Sequence, residues 1–136
     1  YDSTEQMKDE SRDIRRKQVE ILNHWVDSIL TNSSEKDVFI IGDFNDYPAR
    51  ANDATLTPLL NNDGINFISS DLNSCKYTYL KSIDHIVITD NLKKRYINKS
   101  VRMYDFFDSY PESISKNISD HCPVLATFNI KLPDDY

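Results

Sequence analysis

Three short segments place carboxylates, an amide and an imidazole at the ends of apolar runs. Gly42-Asp43-Phe44-Asn45-Asp46 closes the run Val38-Phe39-Ile40-Ile41, Ile83-Asp84-His85-Ile86 opens a second, and Ser119-Asp120-His121-Cys122-Pro123-Val124 leads into a third. Polar groups gathered where a chain leaves its core are placed to project into a common cleft. The candidate set is therefore Asp43, Asn45, Asp84, Asp120 and His121. An acid-rich, cysteine-free set with one amide suits a hard cation such as Mg²⁺ or Mn²⁺, which takes few protein carboxylates and keeps waters for a phosphate substrate. A histidine oriented by a carboxylate is the usual general acid or base. Together these residues point to metal-assisted hydrolysis of a phosphate ester.

Other chemistries fit less well. No GxSxG elbow is present, and Ser119, Asp120 and His121, being consecutive, cannot line up as a nucleophilic relay. A glycine-rich phosphate loop and a Cys/His zinc spacing are both absent. Each polar residue also has a plainer reading. Asp43 and Asn45 have the side chains of turn formers. Asp84, inside an apolar strand, needs a partner and can belong to a buried ion pair. His121 alone can be a core histidine; His85, pointing away from Asp84, is expected to be one, and His24 on the first helix is expected to have no catalytic role. The occurrence of three such segments in series weighs against the plainer readings taken jointly.

The elements that must position these groups are those of one mixed α and β unit. The chain has 136 residues, 28% charged and 39% apolar, which suits one domain. No run of ~18 apolar residues occurs and no charged, apolar, small-residue leader opens the chain, so neither a membrane span nor a signal peptide is expected in it. Sixteen Lys and Arg against 22 Asp and Glu give a net charge of −6, which does not by itself advertise a nucleic-acid binder.

Apolar residues at Ile14, Ile21, Leu22, Trp25, Val26, Ile29 and Leu30 predict an amphipathic helix over roughly residues 10 to 31. Lys8, Arg12, Arg15, Arg16 and Lys17 sit early in it, as a solvated face or as phosphate contacts. The run from Asp37 to Gly42 predicts a strand buried on both faces. Thr57 before Pro58 reads as an N-cap of a short helix ending near Gly64. Further strands are predicted over Tyr77 to Leu80, Ile83 to Thr89, Val101 to Phe107 and Val124 to Ile130, with polar turns at Asp90-Asn91 and Ser109-Tyr110-Pro111. Two helices cannot cover both faces of some five strands, so one face of the sheet is expected to lack a cover. The two glycines, Gly42 and Gly64, are expected where the backbone tolerates little else. Cys75 and Cys122 are expected as buried thiols, with one bridge as the alternative.

The three segments Ile41-Gly42-Asp43-Phe44-Asn45, Ile83-Asp84-His85-Ile86 and Ser119-Asp120-His121-Cys122-Pro123-Val124 resemble the C-terminal motifs of the endonuclease/exonuclease/phosphatase family. That family includes pancreatic-type DNases, apurinic endonucleases, sphingomyelinases and inositol polyphosphate 5-phosphatases. The resemblance runs from the helix with Arg15 and Gln18 to the last strand. It implies an α/β (α+β) fold that is half of a four-layer α/β/β/α sandwich, with one mixed sheet carrying helices on one face. Residues 1–136 would be the C-terminal half of a single domain. The N-terminal half would supply an asparagine, a glutamate metal ligand and a second histidine on a strand just before Tyr1.

The resemblance also implies roles. Asp43 would orient or deprotonate water, and Asn45 would hold a phosphate oxygen or a metal. Asp120 would be a metal ligand, His121 would contact the scissile phosphate, and Asp84 would orient the His121 imidazole and favour its protonated form. Asp120, Asp43 and Asn45 would hold Mg²⁺, Mn²⁺ or Ca²⁺. The substrate would be a phosphate ester, with DNA or RNA first because Lys93, Lys94, Arg95, Lys99 and Arg102 can meet a nucleic-acid backbone or else form a solvated turn. A phospholipid or inositol phosphate is the second substrate class, and a catalytically silent binding module keeping the fold is the reading from another class. The bare sheet face implies association with the N-terminal half or with a second copy, and negligible hydrolase activity for these residues alone.

Overall fold

The structure, a computed structural model, describes residues 4–132, so Tyr1 lies outside the described residues. The first helix, α1, spans Glu5–Asn32. It begins before the apolar stripe does because Thr4 caps it, its side chain accepting from Met7 N, and Glu5 stands in the first turn, where the helix dipole favours an acid. The amide of Ser33 closes the helix on the Ile29 carbonyl at 3.0 Å. The apolar stripe is split: Val19 and Val26 are buried, while Ile14, Ile21 and Trp25 stay exposed, Trp25 at 64%.

Strand β1 (Phe39–Asp43) follows, then the one-turn helix α2 (Thr57–Leu60), β2 (Ile65–Phe67) and β3 (Asp84–Thr89). These strands form an antiparallel sheet in the order β1-β3-β2. Central β3 is the strand buried on both faces. Its Val87 lies on the same face as Ile40 and Phe67, its partners β1 and β2 contributing opposite residues. On that side Val19, Leu56 and Leu59 form a core joined by Leu22, Ile40, Phe44, Ile65 and Phe67, so α1 and α2 cover this face. Ile86 and Ile88 point the other way and pack with Leu92, Tyr96, Val124 and Phe128.

The second sheet is the short antiparallel pair β4 (Arg102–Met103) and β5 (Val124–Leu125). Three more one-turn helices complete the described residues: α3 (Asp90–Lys93), α4 (Phe106–Ser109) and α5 (Glu112–Ser115). No described helix is long and apolar enough to cross a membrane.

The mixed α and β class is as expected from the sequence, but several elements differ. In place of one mixed sheet there are two separate antiparallel sheets. Helices do not keep to one face, because α3 and the β5 segment cover the face opposite α1. Uncovered apolar side chains include Ile41 on β1, 69% exposed, and the outer stripe of α1, with Tyr79 and Ile130 exposed elsewhere. Strand β1 is thus not buried on both faces as its composition suggested. Residues 77–80 form an exposed turn, Leu80 N bonding to Tyr77 O at 2.8 Å, since no neighbouring strand receives them. The strand predicted over residues 101–107 stops early because Asp105 caps α4, accepting from Phe107 N and Asp108 N. Leu56, not Thr57, is the cap of α2. Gly42 adopts no left-handed φ and a Cβ there would meet open space, so glycine is not sterically required. At Gly64 a Cβ would come within 3.3 Å of Leu30, a tight fit against α1.

Cys75 and Cys122 are joined in a disulfide, which corrects the expectation of two thiols. The fold brings their Cα atoms to 6.2 Å, inside bridging range, and buries the bridge with Phe106. The sequence separation is 47 residues. The double variant Cys75→Ala/Cys122→Ala is expected to lose about 2–4 kcal/mol of stability. The measurement is the unfolding free energy from urea titration, with the m-value expected to rise as the uncrosslinked chain expands; an unchanged free energy would contradict a stabilising bridge.

Candidate active site

The β1–β3 register sets Asp43 opposite Asp84, two pairs along from Ile41 opposite Ile86. Their side chains therefore share the Ile86 face, at the point where β1 ends and β3 begins. One further bond, Phe44 N to Ile83 O at 2.8 Å, holds the strands together just past the pair. The chain then turns through Asn45, a non-glycine residue in the left-handed region at φ 50°. Its amide donates to Asp43 Oδ1 at 2.8 Å and its side-chain Nδ2 to Asp43 Oδ2 at 3.0 Å, so Asn45 grips both carboxylate oxygens. Such backbone strain persists where the surroundings over-determine it, a frequent property of functional loops.

A buried polar network fastens this loop to β3. The Asp46 side chain accepts from Thr55 N and Thr55 Oγ1, each at 2.7 Å, from Tyr47 N at 2.9 Å and from Arg50 Nε. Burial alone would raise its pKa, but these donors outweigh it and hold the carboxyl below the ordinary carboxylate range. The Asp46 carbonyl lies 3.0 Å from His85 Nε2. A carbonyl only accepts, which assigns the proton to Nε2 and leaves Nδ1 to accept from the Ser69 hydroxyl at 3.2 Å. Ser69 Oγ in turn accepts from Ile86 N at 2.9 Å. Burial pushes the His85 pKa down. His85 is thus the core histidine expected, set between the rings of Phe44 and Phe67.

His121 has the opposite environment. Its Nδ1 meets Asp84 Oδ1 at 3.0 Å and Oδ2 at 2.9 Å, and its amide bonds to Ser119 Oγ at 3.0 Å. The hydrogen bond to Asp84 raises its pKa, partial burial opposes this, and the charges of Asp84, Asp43 and Asp120 add to the rise. The next residue, Cys122, is anchored by its bridge to Cys75. His121 and Asp84 line one cleft together with Asp120 and the two cysteines.

Ligand atoms of Asp43, Asp84 and His121 lie within 4.8 Å of one another. Asp120 is exposed beside them but falls outside that group, and Asn45 contributes through Asp43. The structure therefore brings four of the candidate residues (Asp43, Asn45, Asp84 and His121) into direct contact or one cluster, with Asp120 at its margin. Because Asp84 already serves the imidazole, Asp43 is the carboxylate best placed to hold a cation, with Asn45 and Asp120 as neighbouring oxygen donors. Such a donor set fits a hard divalent ion that keeps most of its waters.

The positive cluster is divided: Arg102 stands on β4 beside Met103, which lines the His121 cleft, while two others lie far from it. Lys93 and Arg95 follow β3 at the end away from Asp84, about 17 Å along the strand. Lys93 bonds Asn66 and lies 3.9 Å from Asp90, while Arg95 pairs with Asp37 at 3.1 Å, which favours the structural reading for both. Asp46, Ser69 and Thr55 were not foreseen as positioning groups; the signal in the sequence was a second acid in the Asp43–Asp46 segment, indistinguishable there from a turn former. No family model matches the chain, and no curated protein matches it either.

His121 binds its proton more tightly than a free imidazole, so it stays charged to a pH above the ordinary ~6.5. The folded-state pKa being raised, its contribution to stability is present below that pH and is lost as pH rises through the folded value. Asp84→Asn is expected to bring the His121 pKa down toward ~6.5, as read from its ring resonances in an NMR titration. An unchanged pKa would rule out Asp84 as the cause.

Proposed function

We propose that the chain is the catalytic C-terminal half of a metal-dependent phosphoesterase of the endonuclease/exonuclease/phosphatase kind, within a four-layer sandwich whose other half packs on the apolar surface around Ile41. The observation that carries this reading is the Asp84–His121 contact standing beside Asp43 at one strand end. A protonated His121, held through Nδ1, presents its other ring N–H to a phosphoryl oxygen and stabilises the charge that grows there. Asp84 fixes the ring and its charge state. Asp43, held by Asn45, accepts a hydrogen bond from the attacking water and receives its proton, while Asn45 keeps that carboxylate aimed. A bound Mg²⁺, on Asp43 with Asp120 or Asn45 nearby, would supply Lewis-acid charge to the phosphate.

The proposed substrate is a phosphate ester, a nucleic-acid diester first, because Arg102 adjoins Met103 of the His121 cleft, and a phospholipid or inositol phosphate second. The five site residues, intact and with four of them clustered, speak against a catalytically silent module, which has no use for a charged imidazole among three acids. In the complete domain, hydrolysis of plasmid DNA or bis(p-nitrophenyl) phosphate is expected to require Mg²⁺ and to stop with chelator. His121→Ala or Asp43→Asn is expected to lower kcat by about 10³-fold or more. Activity indifferent to chelator and to His121→Ala would overturn the assignment.

A further inference from the structure

Arg15 on α1 differs from the basic residues around it. Arg12 pairs with Glu5 and Asp9 of the same helix and with Asp53 beyond it, and Arg16 with Asp13. Arg15 has no carboxylate within ion-pairing distance among the described residues; its Nη1 donates only to Ser11 Oγ, at 2.6 Å. Its Nε is buried and has no hydrogen-bond partner, alone among the buried side-chain nitrogens and oxygens of the described residues. A desolvated guanidinium N–H without an acceptor from the protein is costly and calls for one from outside the chain. Arg15 and Gln18 line a cleft of about 260 Å³ with Gly42, Asp43, Phe44 and Asn45, and a second hollow beside it again joins Arg15 and Gln18 to Asn45.

We infer that Arg15, with Gln18 one turn further along α1, forms an oxyanion subsite that binds a phosphate group against the Asp43–Asn45 loop. The planar fork of a guanidinium suits two oxygens of a tetrahedral phosphate, which would meet the sealed Nε–H only after the Arg15 side chain shifts in the cleft. A cation here also offsets the repulsion that Asp43 and Asp84 exert on an anionic substrate. Arg15 would therefore bind substrate at the site, whereas Arg12 and Arg16, already paired, would not. The inference deepens the phosphoesterase reading and rests on it for the identity of the anion.

The test follows the Arg15 Nε–Hε resonance in the ¹⁵N-labelled chain during titration with inorganic phosphate. It is expected to move saturably, with Arg15→Lys weakening phosphate binding about tenfold and Arg12→Lys leaving it unchanged. Parallel titrations with dithymidine monophosphate and glycerophosphocholine tell a nucleic-acid source of the phosphate from a lipid one by which binds more tightly. A stationary Arg15 resonance through the millimolar range, or equal affinity in the Arg15→Lys protein, overturns the subsite. The wild-type resonance decides the matter even if the variant fails to fold. Saturable binding at Arg15 with no phosphate-ester hydrolysis by the complete domain keeps the subsite and sinks the phosphoesterase reading. Metal-dependent hydrolysis with an unmoved Arg15 resonance and an unchanged KM for Arg15→Lys does the reverse.

Discussion

The register between β1 and β3 decides where the carboxylates stand, and the rest of the site is arranged around that pairing. With Asp43 opposite Asp84, both acids leave the sheet on the face of Ile86 and Ile88. A slip of one residue would turn either strand's acid toward α1 and the Val19–Leu59 core. Two fastenings beyond the ladder act on different segments. The Asp46–His85–Ser69 network ties the loop after β1 to β3, and the Cys75–Cys122 bridge fixes the segment that delivers His121 to Asp84. Three stretches far apart in sequence are therefore held by a strand ladder, a buried polar network and a covalent link.

Two histidines near one strand end show how environment divides roles. His85, sealed between aromatic rings, is pushed toward the neutral form by burial and spends both nitrogens on structure. His121 leans on a carboxylate with two more acids nearby and holds its proton more tightly. The clustering of Asp43, Asp84 and Asp120 around one imidazole is unfavourable without positive charge to balance it. Protonation of His121, which those acids favour, supplies part of that balance, and the proposed cation and Arg15 would add to it.

Much of this was legible in the residues. The long helix and strands β1 and β3 followed from periodicity, and the meeting of Asp43, Asn45, Asp84 and His121 from acids placed at strand ends. What failed has local causes. Tyr77 to Leu80 carries β-forming residues but meets no partner strand, so propensity was not realised. Asp105 looked like an interruption inside a strand and proved to be a helix cap. The covering of the Ile86 face by Leu92, Tyr96 and Phe128 depends on long-range packing that no window reveals. The disulfide was open because two cysteines in sequence do not disclose their distance. Asp46 and Ser69 became positioning groups only through contacts to His85 from separate loops.

Exposed Ile41 lines the Arg15 cleft and Ile14 of α1 lines the hollow beside it, so a layer packed on either would border the same cleft. The central claim is that the end of β1 and β3 forms a divalent-cation site serving His121, and paramagnetic Mn²⁺ tests it most directly. Titrated into the ¹⁵N-labelled chain, Mn²⁺ is expected to broaden the amide signals of Asp43, Asn45, Asp84 and His121 first, with Asp43→Asn abolishing the selectivity. Broadening confined to the acidic first turns of α1, or spread evenly over the surface acids, would contradict it.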